Sequence, residues 1–88
     1  MSLALNISEL TTFFCDFIRS EKESETPNSE LMQSPLHEAG LDSLALIEMF
    51  LFAEEEFIIH IDIEVIPQDA SLQSICDDIL RIHRGALD

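Results

Sequence analysis

The sequence predicts a single all-α domain over residues 1–88, built from three main helices, one short helix and a long first loop. Two segments, residues 7–18 and 72–82, repeat apolar residues at steps of three and four, which is the period of an amphipathic helix. A third segment, from Ser43 to Phe57, is rich in apolar residues and has the length of a helix. Only one short run alternates like a β-strand, and an isolated strand has no partner for its hydrogen bonds.

The first helix is predicted from a stripe of aromatic and aliphatic residues near the N-terminus. Asn6 or Ser8 is suited to cap its start, because either side chain accepts a hydrogen bond from a backbone N–H. We expect the helix to end before residues 19–28, where apolar residues vanish and Pro27 disfavours helical geometry at the residue before it. The stripe consists of Ile7, Leu10, Phe13, Phe14, Phe17 and Ile18.

The long loop is predicted from residue 19 to Asp42. Leu31, Met32 and Leu36 are the apolar residues that we expect to anchor this loop over the core. They are interpreted as anchors rather than as parts of helices.

The second long helix is predicted from Ser43 to Phe57, with Asp42 or Ser43 as its N-cap. Between Leu44 and Ala53 only Glu48 is polar. Apolar side chains therefore occupy nearly the whole circumference, which is more than one packing stripe needs. We expect some of them to be exposed and functional.

The remaining segments complete the fold. Residues 59–65 alternate apolar and polar side chains, and we interpret them as an extended connector followed by a short helical turn. The last helix is predicted to begin after Ser71, its N-cap, and to end near Gly85. Its apolar stripe consists of Leu72, Ile75, Ile79, Leu80 and Ile82.

Composition narrows the possible functions. A net charge of -14, with 18 acidic against four basic residues, opposes binding to nucleic acid and to anionic membranes, and it attracts basic partners. No secretory signal and no membrane-spanning run is present, so we expect a cytoplasmic protein that does not insert into membranes. Cys15 and Cys76 lie within helical patterns and are expected to be buried, reduced thiols.

Ser43 is the strongest candidate for a functional residue. It stands where a polar, proline-containing loop meets the apolar second long helix. A serine at the start of a helix exposes its hydroxyl beside unpaired backbone N–H groups, which favour an attached phosphate. The alternative is that Ser43 only caps the helix.

Three segments in the order expected resemble the acyl carrier protein family, the phosphopantetheine-binding carrier proteins. The most specific is Leu36-His37-Glu38-Ala39-Gly40-Leu41-Asp42-Ser43-Leu44, which ends in the family's Asp-Ser-Leu attachment triplet. Phe57-Ile58-Ile59-His60-Ile61 is similar to the end of the family's second helix, and Ser71-Leu72-Gln73-Ser74-Ile75 is similar to the start of its last helix. The resemblance covers most of the chain and implies a small four-helix carrier-protein bundle.

The resemblance also implies a function. Ser43, flanked by Asp42 and Leu44, would carry 4'-phosphopantetheine added from coenzyme A by a phosphopantetheinyl transferase. The chain would then be a freestanding, non-catalytic, monomeric carrier that holds acyl groups as thioesters for enzymes of fatty-acid or polyketide-type synthesis. A carrier of aminoacyl or peptidyl groups remains an alternative, as does a cofactor-free acidic helical interaction module.

The family's partners are acyl-processing or acyl-activating enzymes that dock basic patches on the second long helix. Ala45 stands where many members have an acid, so we expect more apolar docking, through Leu46, Met49, Phe50 or Phe52. In the family a sleeve within the core also holds short acyl chains, although ordinary packing explains the same residues. The docking candidates are Asp42, Leu44, Ile47, Glu48, Glu54 and Glu55. The acyl-pocket candidates are Phe50, Ala53, Phe57, Ile61 and Ile75.

Other chemistries are disfavoured. His37, His60 and His83 do not have the spacing of metal ligands, and no metal site is expected. The chain also lacks the Gly-x-Ser-x-Gly elbow of a serine hydrolase and a glycine-rich phosphate loop.

Overall fold

A computed structural model describes residues 5–67 and 69–85, and these residues are mostly helical with no β-strand among them. The all-α prediction is therefore confirmed. Two 3-10 turns separate the later helices, at Leu36–Glu38 and Ile63–Val65. The four α-helices are α1 at Ile7–Lys22, α2 at Asn28–Gln33, α3 at Ser43–Phe57 and α4 at Leu72–Gly85.

Side-chain caps fix the starts of the three long helices. Asn6 Oδ1 accepts the Glu9 N–H at 2.9 Å, which makes Asn6 rather than Ser8 the cap of α1. Ser71 Oγ accepts the Ser74 N–H at 3.1 Å at the start of α4. Asp42 caps α3 in the same way. Each cap satisfies a backbone donor that has no partner inside its helix.

The short helix α2 corrects the prediction of an uninterrupted first loop. Leu31 and Met32 belong to this helix and Leu36 to the 3-10 turn that follows, so the three are parts of helical elements. Their anchoring role is confirmed, because Met32 and Leu36 are buried and Leu31 is partly buried against the core. Six residues are too few to show a helical repeat in the sequence, which is why this element was missed.

The short helical element predicted after Phe57 is the 3-10 turn at Ile63–Val65. The alternating residues before it do not form a strand. The only bridge of β type among the described residues is antiparallel, between Pro35 and Ser71. There the Leu36 N–H donates to the Ala70 carbonyl at 2.9 Å, which ties the end of the first loop to the start of α4.

An aromatic cluster between α1 and α3 forms the centre of the core. Phe14 and Phe50 are buried and meet edge to face at 5.7 Å between ring centroids. Phe13 contacts both Phe14 and Phe57 in the same geometry. Edge-to-face pairs add roughly 0.5–1.5 kcal/mol each beyond area burial. The cluster therefore fixes α3 against α1.

The two cysteines are buried, free thiols, as predicted. The pKa of Cys76 is raised to about 12, mainly by burial and to a smaller extent by Cys15 and Asp77. Burial also raises the pKa of the Cys15 thiol, although the nearby Arg19 opposes the shift. Both thiols therefore stay protonated at neutral pH and behave as small apolar core residues.

Candidate functional site

Ser43 is the first residue of α3, and its side chain is exposed. The cap is made by its neighbour, since Asp42 Oδ1 accepts the Ala45 N–H at 2.8 Å. Within the described residues the Ser43 hydroxyl makes no hydrogen bond. The structure thus separates the capping side chain from the side chain that remains accessible for modification.

A glycine turn leads into this helix. Gly40 has a φ of +83°, in the region where residues with a side chain are strained. The side chain of Lys22, the only lysine in the chain, crosses the same place, and an added Cβ on Gly40 would lie 2.5 Å from Lys22 Nζ. Gly40 therefore meets a conformational requirement three residues before Ser43, whereas the flexible Lys22 side chain can move away from an added Cβ.

An exposed apolar stripe runs along α3 away from Ser43. We call Leu44, Ile47, Leu51 and Ile58 the α3 stripe. Leu44, Ile47 and Leu51 are three and four residues apart and share one face of α3, and Ile58 follows directly after the helix. Leu44 is 65% exposed and Ile58 is 76% exposed. Two of these residues, Leu51 and Ile58, were not among the candidates from sequence, although their spacing from Leu44 was a usable signal.

The apolar docking residues expected because of Ala45 are mostly buried. Leu46, Met49 and Phe50 belong to the core, and only Phe52 of that set is exposed. Helix α3 is rotated so that one of its faces packs against the rest of the bundle. That face consists of residues 46, 49, 50, 53 and 57. Of all the apolar docking residues expected from sequence, Leu44, Ile47 and Phe52 are therefore exposed, while Leu46, Met49 and Phe50 are not.

The acidic docking candidates differ in their surroundings. Asp42 and Glu55 are exposed and Glu48 is half-buried. Glu54 is bound to the protein itself, because its Oε2 accepts the Ile61 N–H at 2.7 Å and lies 3.4 Å from His60 Nδ1. Glu54 thus holds the segment after α3 in place.

Ile58 ends α3 in a left-handed conformation with a φ of +53°. Its N–H donates to the Glu54 carbonyl, and the Ile59 N–H donates to the same oxygen at 3.1 Å. A β-branched residue is costly in this region of backbone space, where glycine or asparagine is usual. The chain therefore combines backbone strain with an exposed apolar side chain at one residue.

A pocket of about 190 Å³ lies between α4 and residues 60–67. Isoleucines dominate its walls, and His60, Asp62, Asp78 and His83 add polar groups. His83 Nε2 lies 3.0 Å from the His60 carbonyl oxygen and links the two sides. The isoleucines are Ile61, Ile66, Ile75, Ile79 and Ile82.

The acyl-pocket candidates divide into two groups. Ile61 and Ile75 line this pocket. Phe50, Ala53 and Phe57 lie in the packed core and are at most 5% exposed. The pocket borders the segment that Glu54 holds in place. Along α3, Glu54 lies about 16 Å from Ser43 at 1.5 Å per residue.

The residues at Ser43 fit a phosphopantetheine arm. The accessible hydroxyl would supply the attachment atom, and the positive end of a 15-residue helix favours a phosphate there. No group of three or more His, Cys, Asp or Glu side chains that would suit a metal ion occurs among residues 5–67 and 69–85. Over the same residues, no helix combines the length and apolarity needed to cross a membrane.

Comparison with protein-family models, with curated proteins and with solved structures gives no match for this chain.

Proposed function

We propose that this chain is a carrier-protein domain that bears 4'-phosphopantetheine on Ser43 and presents acyl groups to partner enzymes. The observation that carries the proposal is the accessible Ser43 hydroxyl at the start of α3, next to a separate residue that caps the helix. A serine kept only as a cap would itself accept the hydrogen bond that Asp42 accepts. The resemblance around the Asp42-Ser43-Leu44 triplet supports the same role.

The arm would supply a terminal thiol that binds the acyl group as a thioester. The chain's own residues position and present this group. The backbone N–H groups in the first turn of α3 stabilise a phosphate on Ser43, and Asp42 holds that turn in helical geometry. Gly40 allows the chain to turn into the helix at this point. These residues catalyse no reaction in the proposal.

Partner enzymes would contact the α3 stripe. Leu44 begins it beside Ser43, and Glu48 and Glu55 lie along the same side of the helix. Apolar contact at the centre of an interface contributes affinity, while the acids attract basic partner surfaces and orient them. The net charge of -14 acts in the same direction at longer range.

The apolar pocket favours acyl over aminoacyl cargo. Its walls are mainly isoleucine side chains, which suit an alkyl chain, whereas a charged amino group would find partners only in the lining acids Asp62 and Asp78. Fatty-acid or polyketide-type intermediates are therefore the proposed cargo. The α3 stripe alone would also serve a cofactor-free interaction module, which is the second candidate.

The deciding experiment is intact-mass measurement after incubation with coenzyme A and a broad-specificity phosphopantetheinyl transferase. We expect the mass of one phosphopantetheine group to be added to the wild type and to Ser29→Ala, which alters another exposed serine in the first turn of a helix. Ser43→Ala should gain nothing. If folded wild-type protein gains no mass with several transferases, the carrier proposal fails and the interaction module takes its place.

A further inference from the structure

A second surface lies between α1 and α3, apart from Ser43 and from the apolar pocket. We call it the α1–α3 groove, and it is an open depression of about 590 Å³. It extends along α1 from Glu9 to Ser20, which is about 16 Å at 1.5 Å per residue, or three helical turns. The lining residues are Glu9, Thr12, Phe13, Asp16, Phe17, Ser20, Phe52 and Glu56.

The floor of the groove is aromatic. Phe13 and Phe17 are half-buried, and Phe52 is 45% exposed. The rings of Phe17 and Phe52 meet across the groove at 6.0 Å between centroids. The three rings together form one apolar floor between the two helices.

The rim of the groove is acidic. Glu9, Asp16 and Glu56 line it, and no lysine or arginine does. Arg19, the nearest cation on α1, binds Asp16 of this rim as well as the Thr26 carbonyl and Asn28, so Glu9 and Glu56 are the rim acids without a cationic partner among the described residues. The groove therefore carries a negative potential over aromatic faces, which attracts a cation placed above a ring.

We propose that the α1–α3 groove binds an amphipathic helix of a partner protein that presents arginine or lysine beside its apolar face. The length of the groove suits a helix of about three turns. Its openness suits a helix better than a small organic cation, which is held by an enclosing aromatic cage. The acidic rim matches the basic flanks of such a helix, while the three rings receive its apolar side chains.

The groove and the α3 stripe occupy different faces of the same helix. Phe52 and Glu56 are four residues apart and share one face, whereas Leu51 and Glu55 lie about 100° away around the axis. The chain therefore offers two matched control positions. Leu51 is 46% exposed, close to the value for Phe52, and Glu55 is exposed like Glu56. Neither control residue lines the groove.

The test begins with a displayed library of helical peptides of about 12 residues, selected for binding to the full chain. The best peptide is then measured by fluorescence anisotropy against four variants and Ser43→Ala. We expect enriched sequences with basic residues beside an apolar stripe. Phe52→Ala should weaken binding about fivefold or more, as for a central aromatic contact, and Glu56→Gln by roughly threefold, as for an exposed ion pair.

Leu51→Ala, Glu55→Gln and Ser43→Ala should each retain wild-type affinity, and added salt should weaken binding. Equal losses for Glu56→Gln and Glu55→Gln would mean that only the overall charge attracts the peptide, and would overturn the proposal. Dependence on Leu51 in place of Phe52, or no enrichment at all, would also overturn it. Ser43→Ala is measured in parallel, so peptide binding to the groove is tested separately from the addition of phosphopantetheine to Ser43. Failure of one proposal can therefore be told from failure of the other.

Discussion

Glu54 and Ile61 are joined across the end of α3 by a hydrogen bond of 2.7 Å, from the Ile61 N–H to the Glu54 carboxylate. Ile61 is buried in the core, so this bond holds an apolar anchor in place immediately after the helix. Glu54 was one of three consecutive acids that looked alike in the sequence. The structure distinguishes it from Glu55 and Glu56, which are exposed.

Replacing Glu54 by alanine is expected to lower the free energy of unfolding by about 1.5–3 kcal/mol, the usual contribution of a hydrogen bond to a charged group. Urea unfolding measures the change. Glu55→Ala is the matched control, because it removes an adjacent acid that lacks this bond, and it should change stability by less than about 0.5 kcal/mol. Equal losses for the two variants would contradict a specific role for Glu54.

Ile58→Gly is expected to stabilise the protein by about 0.5–1 kcal/mol, because glycine adopts the left-handed conformation without strain and little burial is lost. The same variant removes the end of the α3 stripe, so we expect weaker binding to partner enzymes. Glu23→Gly is the control, since Glu23 has a φ of +51° at the end of α1, away from the stripe. It should stabilise the fold and leave partner binding unchanged. Partner binding that survives Ile58→Gly would remove the functional explanation for this strained residue.

Gly40→Ala is expected to destabilise the protein by roughly 1 kcal/mol, because its φ of +83° strains any residue with a Cβ. Thermal unfolding of the variant in the wild-type and Lys22→Ala backgrounds separates the two causes. A loss of the same size in both backgrounds would assign the effect to the backbone. A loss that disappears in the Lys22→Ala background would assign it to the contact with the lysine side chain.

The stability of the protein is expected to fall as the pH rises above 9. The folded state holds the Cys76 thiol protonated with a pKa of about 12, whereas the reference pKa of the thiol is 9.0. The contribution is fully present below pH 9 and is lost toward pH 12, at no more than about 1.4 kcal/mol per pH unit. Urea unfolding from about pH 8, which is below the reference value of 9.0, up to about pH 10.5 should show a shallower decline for Cys76→Ala. Parallel declines would mean that Cys76 does not cause the effect.

Patterns that span a whole helix were predictable from the sequence. The repeats gave α1 and α4, and the caps at Asn6, Asp42 and Ser71 follow from their ability to accept backbone hydrogen bonds. Helix α2 was not predictable in this way, because it has fewer residues than two full repeats. Its place depends on Met32 packing into a core formed by residues distant in sequence.

The candidate site, too, was predictable from the sequence only where local patterns determine it. The position of Ser43 at the start of a helix was predictable from local sequence, as was the exposure of some apolar side chains on α3. Which side chains are exposed depends on how α3 is rotated against α1, and sequence composition does not contain that angle. Leu46 and Leu51 are both leucines on one helix, yet one is buried and the other exposed.

The aromatic cluster at the centre of the bundle has a practical consequence for spectroscopy. The chain has six phenylalanines and neither tryptophan nor tyrosine. The near-ultraviolet circular dichroism signal therefore comes from phenylalanine without interference from tryptophan or tyrosine, and all six rings make contacts between α1 and α3. A tryptophan introduced at a single surface position would likewise be measured without emission from any other tryptophan or tyrosine. The protein is therefore well suited to site-specific fluorescence.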